Sequence, residues 1–143
     1  MEDIKYVFAV EKDDFVRAGE ASSNVKKILR QLGIDSGVIR NISIATYEAE
    51  MNIVIHSLGG EIELEVTPEF IRVTARDRGP GIADIELAMQ EGYSTASEKV
   101  REMGFGAGMG LPNMKKCSDR FSVDSSVGKG TVISIEVDLK AGD

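Results

Sequence analysis

From Glu61 to Arg76 the chain alternates in polarity on both sides of one turn. Ile62, Leu64 and Val66 point one way while Glu61, Glu63 and Glu65 point the other. After Thr67-Pro68-Glu69, the residues Ile71, Val73 and Ala75 repeat the pattern against Arg72, Thr74 and Arg76. Successive side chains on a strand face opposite sides, so this stretch predicts a β-hairpin with one apolar and one charged face. The apolar face needs a second layer to cover it.

Amphipathic helices supply that layer. Ala18, Ala21, Val25, Ile28, Leu29 and Leu32 recur at spacings of three and four, after a cap at Asp13 or Asp14 and before a stop at Gly33. Ser36 offers a second cap, and a helix from about Gly37 to Ser57 carries Ile42, Ala45, Ala49 and Ile53 on one face; Gly59-Gly60 ends it. Ile4 to Val10 reads as a first strand. A short helix from about Asp84 to Gln90 turns Ile85, Ala88 and Met89 inward, and Glu91 to Arg101 reads as a mobile loop. A helix opened by Leu111 and Pro112 runs to about Ser118. Phe121 and Val123 begin another strand, Val127-Gly128-Lys129-Gly130 turns it, and Ile133, Ile135, Val137 and Leu139 line the inner face of the last one. The predicted architecture is a two-layer α/β sandwich, a mostly antiparallel mixed sheet with helices on one face, forming one domain over residues 1–143.

Charge and cysteine usage exclude several classes. With 17 basic against 24 acidic residues, the net charge of −7 argues against a general nucleic-acid binder. No apolar run spans a bilayer and the N-terminus lacks a signal pattern, so no membrane partner is expected. Cys117 is the single cysteine, which rules out an internal disulfide and fits a reducing, cytoplasmic setting. His56, the one histidine, is a poor zinc ligand without a second His or a Cys cluster.

Three places carry chemistry. Gly104, Gly106, Gly108 and Gly110 alternate and run straight into the Leu111-Pro112 helix, a bare-backbone loop with N–H groups and a helix end suited to phosphate. The spacing fits neither the dinucleotide fingerprint nor the P-loop. Asp77 ends a half-buried strand, where a carboxylate needs a partner, and Gly79 and Gly81 let a ligand approach the backbone. Glu48 and Asn52 lie one turn apart, a carboxylate able to accept a proton beside an amide oxygen suited to nucleotide-bound Mg²⁺. Glu50 points about half a turn away from them and reads as a solvated face.

Taken in order, Glu48-x-x-x-Asn52, Asp77-x-Gly79-x-Gly81, Gly104-x-Gly106-x-Gly108-x-Gly110 and Gly130-Thr131 resemble the boxes of the GHKL (Bergerat-fold) ATPases, across nearly two thirds of the chain. The length and the extra N-terminal strand and helix resemble the bacterial anti-sigma serine/threonine kinases, with Glu91-Gly92-Tyr93-Ser94-Thr95 through Pro112 nearest the RsbT-like switch kinases. The segment from Gly92 to Gly104 is longer than in the SpoIIAB type. The resemblance implies ATP and Mg²⁺ as cofactors and Glu48 as general base. It implies Asn52 as Mg²⁺ ligand, Asp77 as acceptor from the adenine amino group with Gly79 and Gly81 beside the base, and Thr131 as support for the adenine end. Gly104, Gly106, Gly108, Gly110 and Leu111 would contact nucleotide, the glycine N–H groups wrapping the phosphates. Arg101, Lys115 and Lys116 are candidates for a basic residue at the γ-phosphate.

The implied activity is phosphorylation of Ser or Thr on a STAS-domain partner in a partner-switching pathway such as a stressosome, with a phosphatase downstream. The rival is a nucleotide-gated anti-sigma factor that sequesters a sigma factor, and a third reading is the ATPase piece of a split sensor kinase. Relatives often dimerise through the N-terminal strand region, which makes a homodimer a further expectation. The segment from about Glu91 to Gly108 is expected to be a mobile lid without nucleotide.

Overall fold

The computed structural model describes residues 3–79, 89 and 110–139. In chain order these form β1 (Ile4–Val10), α1 (Glu20–Gln31), α2 (Ser36–His56), β2 (Gly60–Val66), β3 (Phe70–Asp77), α3 (Gly110–Lys116), β4 (Arg120–Ser126) and β5 (Gly130–Asp138). The strands make one five-stranded sheet in the order β1-β2-β3-β5-β4. All four pairings are antiparallel, so the described sheet has no parallel pair. The expected helices at Asp84–Gln90, the loop from Glu91 and the glycine lid lie outside the described residues, apart from Met89, which packs partly buried against the core.

The two-layer arrangement follows from the hairpin. Ile62, Leu64, Val66, Ile71, Val73 and Ala75 are buried on one face of the sheet, joined by Ile133, Ile135 and Val137 of β5. Ile42, Ala45, Ala49 and Ile53 of α2 are buried in the same core, and α2 packs against both α1 and α3. Glu65 pairs in register with Arg72, and Glu61 with Arg76, as the alternation requires.

Opposite the helices, Lys5, Glu65, Arg72, Glu136 and Arg120 stand side by side across all five strands, alternating in charge. Arg72 reaches Glu65 at 2.8 Å and Glu136 at 2.6 Å, and Arg120 pairs with Glu136 and Asp138. Such half-exposed pairs stabilise modestly, so Arg72→Ala is expected to cost about 1 kcal/mol in urea unfolding, with the cost shrinking as salt is added.

Three helix details differ from the sequence reading. The first helix begins at Glu20 rather than beside Asp13 or Asp14: Asp13 has φ 57°, and Asp14 accepts instead from the Arg17 N–H. Asp35, not Ser36, caps α2, its Oδ2 accepting from the Gly37 and Val38 N–H groups at 3.0 and 3.3 Å. The largest correction is Glu50, which is 2% exposed rather than solvated. Its carboxylate accepts from the N–H groups of Gly19, Ala21 and Ser22 at 3.0 to 3.1 Å, so an α2 side chain caps α1.

Candidate functional site

Four-residue spacing puts Glu48, Asn52 and His56 along one side of α2, half-buried. Gly110, the first residue of α3, meets that side. A Cβ on Gly110 would lie 3.4 Å from Glu48 Oε2 and 3.6 Å from Asn52 Oδ1, in ordinary van der Waals contact, so the start of α3 borders both groups. Burial pushes the Glu48 carboxyl above its ordinary pKa, and a hydrogen bond from the Asn113 side chain pulls part of the way back. Leu111 is buried under the start of α3 in the core and shows no polar role.

A second cluster forms where β3 ends. Asp77 lies on the helix-facing side, on the same face as Ala75 and Thr131. Its Oδ1 accepts from the Thr131 N–H at 3.1 Å, and burial raises its pKa despite that bond. Oδ2 has no partner among the described residues and can accept a ligand N–H. The Thr131 hydroxyl is 2.8 Å from Ser125 Oγ, which lies 3.2 Å from the Gly130 carbonyl oxygen, so the two hydroxyls fix each other.

Close backbone approach explains the neighbouring glycines. A Cβ on Gly60 would fall 2.0 Å from the Arg76 carbonyl oxygen, and one on Gly130 would fall 2.1 Å from that of Asp77. Gly130 also has φ 135°, where a side chain is strained. The Gly79 N–H donates to the Lys129 carbonyl, and the Leu58 N–H donates to Arg78 and Gly79 carbonyls, which pins this turn to the end of α2. Both clusters therefore hang on one helix: Glu48 and Ser57 are separated by roughly 13 Å along its axis.

Of the sequence-predicted residues, Glu48, Asn52 and Gly110 come together, as do Asp77, Gly79 and Thr131. Gly81, Gly104, Gly106, Gly108 and Arg101 lie outside the described residues. Lys115 and Lys116 are exposed on the last turn of α3. Asn113, Ser125 and Gly60 were missed. The doublet Gly59-Gly60 signalled a helix stop, and only the sheet register shows that β3 excludes a side chain at Gly60.

Residues 37–141 match the histidine kinase-, DNA gyrase B- and HSP90-like ATPases. The chain belongs to that family, which uses ATP. It is 34% identical over 124 residues to the serine/threonine-protein kinase RsbT of Bacillus subtilis (strain 168), covering 84% of this chain and 85% of that protein. It is 31% identical over 138 residues to an anti-sigma F factor of Caldanaerobacter subterraneus subsp. tengcongensis, covering 93% and 90%. The fold is shared with a chain of the SiaB-SiaC complex from Pseudomonas aeruginosa (TM-score 0.56, 11% identity, covering 94% of this chain and 89% of that one). It is also shared with the mycobacterial sensor histidine kinase MprB (TM-score 0.54, 16% identity, covering 96% and 99%). No described helix is long and apolar enough to cross a membrane.

Proposed function

We propose that this chain is an ATP-dependent protein serine/threonine kinase that phosphorylates a STAS-domain partner in a bacterial partner-switching pathway. The observation that carries the reading is the meeting of Glu48 and Asn52 with Gly110 at the start of α3. The identity to RsbT supports the reaction, and the resemblance to anti-sigma F factors supports the pathway.

Asp77 Oδ2 accepts from the exocyclic amine of adenine, while the Thr131 N–H and hydroxyl hold the carboxylate and the base-side wall in place. Glycine N–H groups of the lid wrap the phosphates. Glu48 takes the proton of the acceptor hydroxyl as its oxygen bonds to the γ-phosphorus, the bond to the β,γ-bridging oxygen breaks, and ADP leaves. The hydrogen bond from Asn113 favours the ionised form of Glu48 that a base needs. Asn52 would offer its amide oxygen to an ion carried by the nucleotide, with nucleotide oxygens and water completing the set. Mg²⁺ would fit that set, and bound with ATP it would neutralise phosphate charge. A cytoplasmic homodimer built through β1, an edge strand exposing Tyr6 and Val7, belongs to the same proposal.

The test is incubation of the purified protein with γ-labelled Mg-ATP and a STAS-domain protein. Acid-stable label on Ser or Thr of the partner is the expected result. A stoichiometric complex with a sigma factor and no label transfer would favour the sequestering reading instead, which the anti-sigma F resemblance supports. Acid-labile label would indicate transfer to histidine.

A further inference from the structure

The polarity of the hydrogen bonds behind Asp77 is fixed by Ser125. Ser125 on β4 and Thr131 on β5 stand opposite each other in register, on the helix-facing side of the sheet. Thr131 is 5% exposed, so bulk water does not orient its hydroxyl. Ser125 Oγ lies 3.2 Å from the Gly130 carbonyl oxygen and 2.8 Å from Thr131 Oγ1. A hydroxyl has one proton to donate, and a carbonyl oxygen can only accept. The Ser125 proton therefore goes to Gly130, and the contact between the two hydroxyls is made by the Thr131 proton. Thr131 Oγ1 is left with lone pairs and no proton to give. The Asp77 carboxylate beside it also only accepts: Oδ1 takes the Thr131 N–H at 3.1 Å, and Oδ2 has no partner among the described residues. What these side chains have left to offer a ligand is acceptors alone.

We propose that Ser125 is a positioning residue for base selection: by taking the Thr131 proton it keeps this end of the site free of donors, so a purine with a 6-amino group is held and one with a 6-oxo group is rejected. The proposal rests on the reading of Asp77 as the adenine acceptor. An exocyclic amine carries two N–H bonds and suits a pair of neighbouring acceptors. A 6-oxo oxygen is itself an acceptor. Set against Asp77 Oδ2 it leaves lone pairs facing each other in a half-buried place, with no proton between them. A Thr131 hydroxyl released from Ser125 can turn and donate to that oxygen, which blunts the discrimination. Ser125 acts through Thr131 and the Gly130 carbonyl, and its own hydroxyl needs no contact with the base.

The experiment is calorimetric titration of ADP and of inosine diphosphate, each with Mg²⁺, into the wild type, Ser125→Ala and Ser125→Thr. The wild type is expected to prefer ADP by about 100-fold or more. Ser125→Ala is expected to narrow that preference about fivefold, through tighter binding of the inosine nucleotide, while Ser125→Thr keeps the hydroxyl and the wild-type ratio. A merely structural role would weaken both nucleotides equally in Ser125→Ala. An unchanged ratio there overturns the proposal, and so does a ratio narrowed as much by Ser125→Thr. Both outcomes leave Asp77 as the adenine acceptor. A wild type that binds neither nucleotide, or both alike, overturns the adenine reading and the proposal with it.

Discussion

Glu48→Ala is expected to lower phosphoryl transfer by about 10²- to 10⁴-fold while nucleotide affinity changes less than about threefold. The proposed base sits where α2 meets α3, whereas the cluster at Asp77 proposed to hold adenine lies more than two turns further along the helix. Removing the carboxylate therefore leaves the proposed adenine contact intact. Asp77→Ala gives the opposite pattern, losing nucleotide affinity first, because no other described carboxylate bonds the Thr131 N–H there. The pH dependence follows from burial. Glu48 must be ionised to accept a proton, and its pKa is raised, so the acid limb of the rate profile lies above the ordinary glutamate range. Asn113→Ala removes the bond that favours the charged form and moves that limb further up. Rates with γ-labelled ATP and binding of a fluorescent nucleotide separate these effects. Transfer at the wild-type rate by Glu48→Ala would remove the residue from the mechanism.

The parts that were legible in the sequence are those set by a single periodicity. Alternation from Glu61 to Arg76 determined the hairpin and which face is buried, since a slip of one residue would have reversed both. The four-residue spacing placed Glu48 and Asn52 together. What the sequence did not disclose depends on elements far apart in the chain. Glu50 lies between two site residues and looks like surface, yet it is buried because α1 brings its unpaired N–H groups there from 28 to 31 residues away. The strand order, with β5 between β3 and β4, puts Gly130 against Asp77, and no local pattern encodes that neighbour. Asn113 follows the glycine stretch as an ordinary helix residue until α3 is laid against α2.

Glu50→Ala is expected to destabilise the protein by about 3 kcal/mol, or about 10 °C in Tm. The substitution strands the N–H groups of Gly19, Ala21 and Ser22 at the start of α1, two of them in buried residues. Glu50→Gln should cost about half as much, because one amide oxygen can serve Gly19 and Ala21 as Oε2 does, leaving an amide nitrogen against the Ser22 N–H. Burial raises the Glu50 pKa more than the three N–H bonds lower it. The folded state thus keeps its proton to higher pH than the unfolded chain. Stability from this group is full below the ordinary glutamate range and falls as pH rises through the raised pKa. The gap between wild type and Glu50→Ala in urea unfolding should accordingly be wider in acid than at neutral pH. A gap that instead grows with pH would mean that the N–H bonds outweigh burial, and that α1 is held by a carboxylate kept ionised rather than one poised to take a proton.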